Sequence, residues 1–165
     1  MESLRAIVPA AGKGSRLQKV CGDLPKAMFS LGNRPMLEYV LENISFVDEK
    51  ETYIIVGYRK EKIVDHFGDR YQYVEQKQQL GTGHAVAECA EAFEDFDGSV
   101  LITFGDMPLF RRKDMKEMCR QHMESGADCT LMIAENPRVT MWARVLRDEN
   151  GSFCAIVEGK DCTPE

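Results

Sequence analysis

The chain has 165 residues, 44% of them hydrophobic and 29% charged, which suits one globular domain large enough to bury a sizeable core. Its formal net charge of −6 argues against nonspecific nucleic-acid binding, which needs a basic surface. No apolar run approaches the ~20 residues of a membrane span, and no signal-peptide pattern opens the chain, so a cytoplasmic protein without a membrane partner is expected.

The six cysteines, Cys21, Cys89, Cys119, Cys129, Cys154 and Cys162, contain no CxxC pair. Zinc binding and thioredoxin-like redox chemistry are therefore not expected, and reduced thiols are. The three histidines, His66, His84 and His122, show no HExxH spacing.

The first predicted element is a strand. Leu4, Ala6, Ile7 and Val8 form a short apolar run of the kind covered on both faces. A glycine-rich loop follows at once, with Gly12 and Gly14 alternating with Lys13 and Ser15 before Arg16. Glycines let a backbone approach a ligand closely, and successive N–H groups in such a loop make an anion-binding concavity. Lys13 and Arg16 add positive charge, so the loop reads as a polyphosphate cradle. It is not the dinucleotide fingerprint, because Leu17 stands where the third glycine belongs, and it lacks the Walker spacing. A plain glycine-rich turn competes with the cradle on the loop alone. Leu24, Pro25 and Lys26 tilt the balance, because a strand–GxGxR–loop–PK arrangement is much rarer than the glycines.

Ala27 to Leu31 is a short apolar piece, and Gly32 and Asn33 signal a turn. Pro35 suits the first turn of a helix whose buried stripe is Leu37, Val40, Leu41 and Ile44. Thr52 to Val56 is a second buried strand, ended by Gly57. Lys60 to Phe67 is predicted helical with Ile63, Val64 and Phe67 inward. Tyr71 to Val74 is a strand that runs into the loop EQKQQLGTG. A helix beginning at Thr82 or Gly83 presents Val86, Cys89, Ala90 and Phe93 on one face.

Ser99 to Thr103 is a third strong strand, and it delivers Asp106 to its carboxyl end. Asp114 to Met123 is a helix with Met115, Met118 and Cys119 inward as core. Cys129 to Ala134 reads as another strand. Trp142 to Leu146 and Ser152 to Val157 read as a strand pair around Asn150 and Gly151. The alternation predicts an α/β fold with a mostly parallel sheet and helices on both faces. Such sheets bind ligands outside the carboxyl ends of their strands, where the two loops and Asp106 should meet.

AAGKGSRL followed by LPKAM resembles the signature of the sugar-phosphate nucleotidyltransferases. EQKQQLGTGHAV and TFGDMPL resemble motifs of the N-acetylglucosamine-1-phosphate uridyltransferase domain, and AIVEGKD is similar to that branch's sugar-site segment. The motifs fall in the family's order and span nearly the whole chain. The resemblance stops at the pyrophosphorylase domain; nothing here looks like a hexapeptide-repeat acetyltransferase half.

The resemblance implies a three-layer α/β/α Rossmann-like nucleotidyltransferase fold. It implies that an oxygen of N-acetylglucosamine-1-phosphate attacks the α-phosphorus of UTP, with pyrophosphate leaving and Mg2+ as cofactor. Such chemistry needs positioning and charge neutralisation more than a covalent nucleophile. Arg16 and Lys26 would hold the triphosphate and offset developing charge, and Asp106 would bind the metal. Ala11, Gly12, Lys13 and Gly14 would hold the nucleotide from one side, and Gln76, Gly81 and Thr82 from the other. Glu158 and Ala143 would belong to the sugar site.

Plainer readings stand beside these. Asp106 could be a turn aspartate before Pro108, Lys13, Arg16 and Lys26 solvated cations, Thr82 a helix cap, and Glu158 a surface charge. Gln79 could orient its loop, and His84 reads as structural, since an ionised phosphate needs no base.

Three departures from the family pattern matter. The loop between Arg16 and Lys26 is longer than usual in this branch, with Gln18 to Gly22 added. Trp142, Ala143 and Arg144 stand where the family has Tyr-Gly-Arg, which leaves the sugar open. The chain ends at Glu165, short of the family domain, so the second metal ligand is unassigned. A sheet edge left that way would favour a homo-oligomer. The competing reading is a nucleotide-binding module without turnover, regulatory or completed by a partner segment.

Overall fold

The computed structural model describes residues 3–15, 19, 22–134 and 143–161, and it divides into two units, Met1–Thr130 and Leu131–Glu165. The first unit opens with strand β1 (Leu4–Pro9), and a single 3₁₀ turn at Lys26–Met28 precedes a small antiparallel hairpin, β2 (Ser30–Leu31) and β3 (Arg34–Pro35). Then come α1 (Met36–Asn43), β4 (Thr52–Val56), α2 (Lys60–Phe67) and β5 (Gln72–Glu75). α3 (Thr82–Ala87), α4 (Ala90–Phe93), β6 (Ser99–Ile102) and α5 (Arg112–Ser125) complete it.

Four strands form one sheet in the order β5-β4-β1-β6, and every pairing is parallel. The register sets Ala6 against Thr52 and Leu101, and Val56 against Glu75. Alternate residues of β1 serve opposite faces, as the pleat requires. Ala6 and Val8 join Ile54, Val56 and Leu101 under Leu37, Val40, Leu41 and Ile44, with Ile63, Phe67 and Met115 in the same cluster. Ile7 and Ile55 face the other way, against Ala85 and Cys89. Helices therefore cover both faces, and the three-layer α/β/α architecture is present. Among the described residues no helix is long and apolar enough to cross a membrane.

Several predicted details differ. Val64 is 36% exposed and lies at the margin of a stripe that only Ile63 and Phe67 fill. The helix after the QQLGTG loop breaks into α3 and α4. Cys89 N–H bonds to Val86 O, an i−3 contact that tightens the chain into a 3₁₀ turn. Each tightened residue turns further round the axis, so Ala90 leaves the buried stripe and is exposed while Cys89 stays buried. Residues 129–134 form no strand. Their apolar side chains favour extended backbone, but the segment has no ladder partner among the described residues, and Leu131 and Ile133 are about half exposed.

The second unit contains an antiparallel hairpin, β7 (Arg144–Arg147) and β8 (Phe153–Val157). Asp148 Oδ1 accepts from the N–H groups of Asn150 and Ser152, which closes the turn. Trp142 lies outside the described residues.

Leu37 is fully buried at the centre of the larger cluster. Leu37→Ala is expected to lose about 3 kcal/mol of stability, read in urea as a lower midpoint at an unchanged slope.

Candidate active site

Parallel pairing brings the carboxyl ends of β1, β4, β5 and β6 to one edge of the sheet. The segments leaving that edge are stitched together by backbone hydrogen bonds. Gly105 N–H donates to Pro9 O at 3.0 Å, Tyr58 N–H to Ala11 O at 3.2 Å and Gln76 N–H to Val56 O at 2.8 Å. Gly57 sits at the tightest point. A Cβ there would lie 2.8 Å from Ala11 Cβ and 3.2 Å from Gln76 O, so only glycine lets the strand exits approach.

A cavity of about 340 Å³ opens at this edge. It is within the size range of small-molecule sites. Ala11, Gly12, Lys26, Gln76, Gly81, Thr82 and Asp106, all singled out in the sequence, line it together. Gln79 and Phe104 line it too, with Pro9, Ala10, Ala27 and Ala85. Phe104 carries no sequence signal beyond its place before Gly105 and Asp106.

Lys26 Nζ pairs with Asp106 Oδ2 across 80 residues of sequence. Their side chains are 42% and 30% exposed, so the pair remains open to a ligand. Lys26 is held from below. Its N–H donates to Gly12 O at 2.9 Å, and Ala27, Met28 and Phe29 behind it are buried. Gly14 does not line the cavity. It lies behind the lysine at φ +65°, where a Cβ would come within 2.9 Å of Lys26 Cβ. Its part is to let the lysine stem pass.

Gln76, also in the lining, is 6% exposed. Its Nε2 donates to Gly81 O at 3.2 Å and lies 3.1 Å from His84 Nδ1. Gln79 Nε2 donates to Ala11 O at 2.8 Å, which ties this loop to the glycine loop. Thr82 is no helix cap: Gly81 occupies the cap position of α3, and no side chain closes it.

Lys13 lies away from the cavity lining. It is exposed, and its ammonium sits 5.0 Å from the centre of the Tyr58 ring. The ring face and the nearby Asp23 carboxylate attract it there. The Tyr58 hydroxyl and the Arg59 guanidinium both donate to Asp23. These bonds, the hydroxyl's first, hold the Asp23 carboxyl below its usual value. The link therefore persists above the ordinary carboxylate range and is lost as pH falls through the lowered value. Arg59 has φ 51°, the one left-handed non-glycine residue among the described residues. No pattern in the sequence marks it.

Arg16 lies outside the described residues. Ala143 and Glu158 belong to the second unit and are exposed. Arg144 pairs with Val157, so these two residues flank the same open end of the hairpin.

The profile of the MobA-like NTP transferase domain matches residues 6–154. The chain belongs to this family. It is 38% identical over 156 residues to the bifunctional protein GlmU of Acholeplasma laidlawii, covering 94% of this chain and 33% of that protein. It is 36% identical to the GlmU of Symbiobacterium thermophilum over 167 residues, or 35% of that protein. The chain thus spans about a third of the length of these relatives. Among solved structures, a mannose-1-phosphate geranyltransferase from Thermus thermophilus superposes with a TM-score of 0.75 at 21% identity, over 95% of this chain and 50% of that one. A nucleotidyl transferase from Methanothermobacter thermautotroptrophicus gives 0.59 at 19% identity, over 72% of this chain and 57% of that one. These two share the fold.

Gly14→Ala combines a disfavoured φ with a clash on the lysine stem. A loss of about 1–3 kcal/mol is expected by thermal or urea unfolding. A variant as stable as the parent would mean that the loop re-forms around a side chain.

Proposed function

We propose that this nucleotidyltransferase-family chain joins UTP to N-acetylglucosamine-1-phosphate, giving a nucleotide-sugar and pyrophosphate. The observation that carries the reading is the meeting of Lys26, Asp106, the Gly12 loop and Gln76 in one cavity at the strand ends. The choice of substrates rests on the resemblance of EQKQQLGTGHAV, TFGDMPL and AIVEGKD to the uridyltransferase motifs.

The chemistry follows from the side chains. The attacking sugar-phosphate oxygen is already ionised, so no general base is needed. The reaction must gather several negative charges, hold attacking and leaving oxygens in line and offset the charge that develops on pyrophosphate. Lys26 supplies a fixed cation at the cavity wall. Gly12 gives close backbone access, because its missing Cβ would meet nothing within 4 Å. Gln76 offers an amide to the base.

Magnesium fits this donor set. Asp106 is the one carboxylate in the described lining, and its described charged partner there is Lys26. No group of three or more acidic, histidine or cysteine side chains gathers to hold a metal among the described residues. Magnesium does not need one, since it is usually held by one or two carboxylates plus substrate phosphates and water. Asp106 would hold the ion, which when bound would neutralise phosphate charge. Glu158 and Ala143 are proposed for the sugar, and Arg16 for the triphosphate.

Pyrophosphate release is expected only with UTP, N-acetylglucosamine-1-phosphate and magnesium all present. Asp106→Ala should abolish it while circular dichroism stays unchanged; full activity in that variant would remove Asp106 from the metal. Lys26→Ala should lower kcat by about 10²-fold or more, the scale of losing one charge-stabilising donor. A folded parent chain that releases no pyrophosphate but still binds UTP would favour a nucleotide-binding module.

A further inference from the structure

We propose that His84 is a positioning residue that fixes which atom of the Gln76 amide faces the cavity, and so the class of base admitted: one with an N–H donor at the centre of its pairing edge, as in uracil. The proposal rests on the reading of this cavity as a nucleotide site.

Gly81 O can only accept, so the amide atom 3.2 Å from it must be nitrogen. That same Nε2 lies 3.1 Å from His84 Nδ1. An amide nitrogen has two protons and no acceptor, so Nδ1 must offer its lone pair. The ring proton then sits on Nε2, which lies 3.4 Å from Glu88 Oε1, four residues further on. A carboxylate beside that nitrogen favours this tautomer.

Both protons of the Gln76 amide are thus engaged. Among the described residues no buried side-chain nitrogen or oxygen lacks a partner. The amide oxygen, to which no described residue donates a bond, is left to the cavity that Gln76 lines. Turning the amide over would set its oxygen against Gly81 O and, in this tautomer, against the Nδ1 lone pair, and lose both bonds. The outward group is therefore a fixed acceptor. It matches the central N–H of uracil and opposes the central lone pair of cytosine.

The test compares the parent chain with His84→Ala, His84→Asn and His84→Gln, reading the ratio of kcat/KM for UTP over CTP. Asparagine carries its oxygen close to where Nδ1 stood, whereas glutamine carries it one bond further. The ratio should fall about tenfold in His84→Ala and His84→Gln, mostly through KM, and hold in His84→Asn. His84 is about one-third exposed, and thermal unfolding checks each variant. If His84→Ala does not fold, the Asn and Gln variants decide between them. An unchanged ratio throughout, an equal loss for both nucleotides, or identical Asn and Gln variants would overturn the proposal. If the parent turns over neither nucleotide, the same comparison is made by calorimetric binding of UTP and CTP. A preference for UTP lost in the same pattern upholds the role of His84 while removing the transferase reading. A parent with no preference for UTP overturns the proposal.

Discussion

Three peptide carbonyls at the end of β1 and just past it hold the candidate site together. Pro9 O accepts from Gly105 N–H, Ala11 O from both Tyr58 N–H and Gln79 Nε2, and Gly12 O from Lys26 N–H. Through these bonds the exits of β4 and β6, the loop after β5 and the segment before α1 are all referred to one short stretch of backbone. β1 can play this part because it lies between β4 and β6 and is covered on both faces. A central parallel strand has no freedom to slide without turning its core side chains to the wrong side. The cavity inherits that rigidity, and the close approach at Gly57 shows how little room the exits leave.

The chain is acidic overall, yet among the described residues of the cavity lining a lysine stands beside the one carboxylate. The Lys26–Asp106 pair is too exposed to contribute much to stability, since ion pairs of this kind are screened by water. Its consequence is local: opposite charges stand side by side where strand ends converge. The second cationic group, Lys13 and Arg59, is drawn instead toward Tyr58 and Asp23. Charges that look equivalent along the loop are thereby sorted into those on the cavity and those beside it.

Much of the fold was legible because it rests on local periodicity. The runs at Leu4–Pro9, Thr52–Val56 and Ser99–Ile102 are short, apolar and bounded by turn signals, and each is a strand. Leu37, Val40 and Leu41 form a buried helix face because those positions repeat at helical spacing, and Ile44, just past the helix end, is buried with them. Reading went astray where a local pattern needed a distant partner. Residues 129–134 have strand composition but no neighbour to pair with among the described residues, and Ala90 left its stripe through a tightened turn that no side chain announces. The grouping of Gly12, Gln76 and Asp106 could be anticipated because all three follow parallel strands. The mutual contacts of those walls could not.

The sequence by itself determined the alternation of buried strands and amphipathic helices, the positions of the glycine-rich turns and the chemistry carried out of each strand. These are written in patterns a few residues long. Only the tertiary structure decided the order β5-β4-β1-β6, and with it which side chains meet. It set Lys26 against Asp106, the Gln79 amide on Ala11 O, and Lys13 over Tyr58 rather than in the cavity. Such partners depend on strand order and register across tens of residues, and these follow from how the whole core packs.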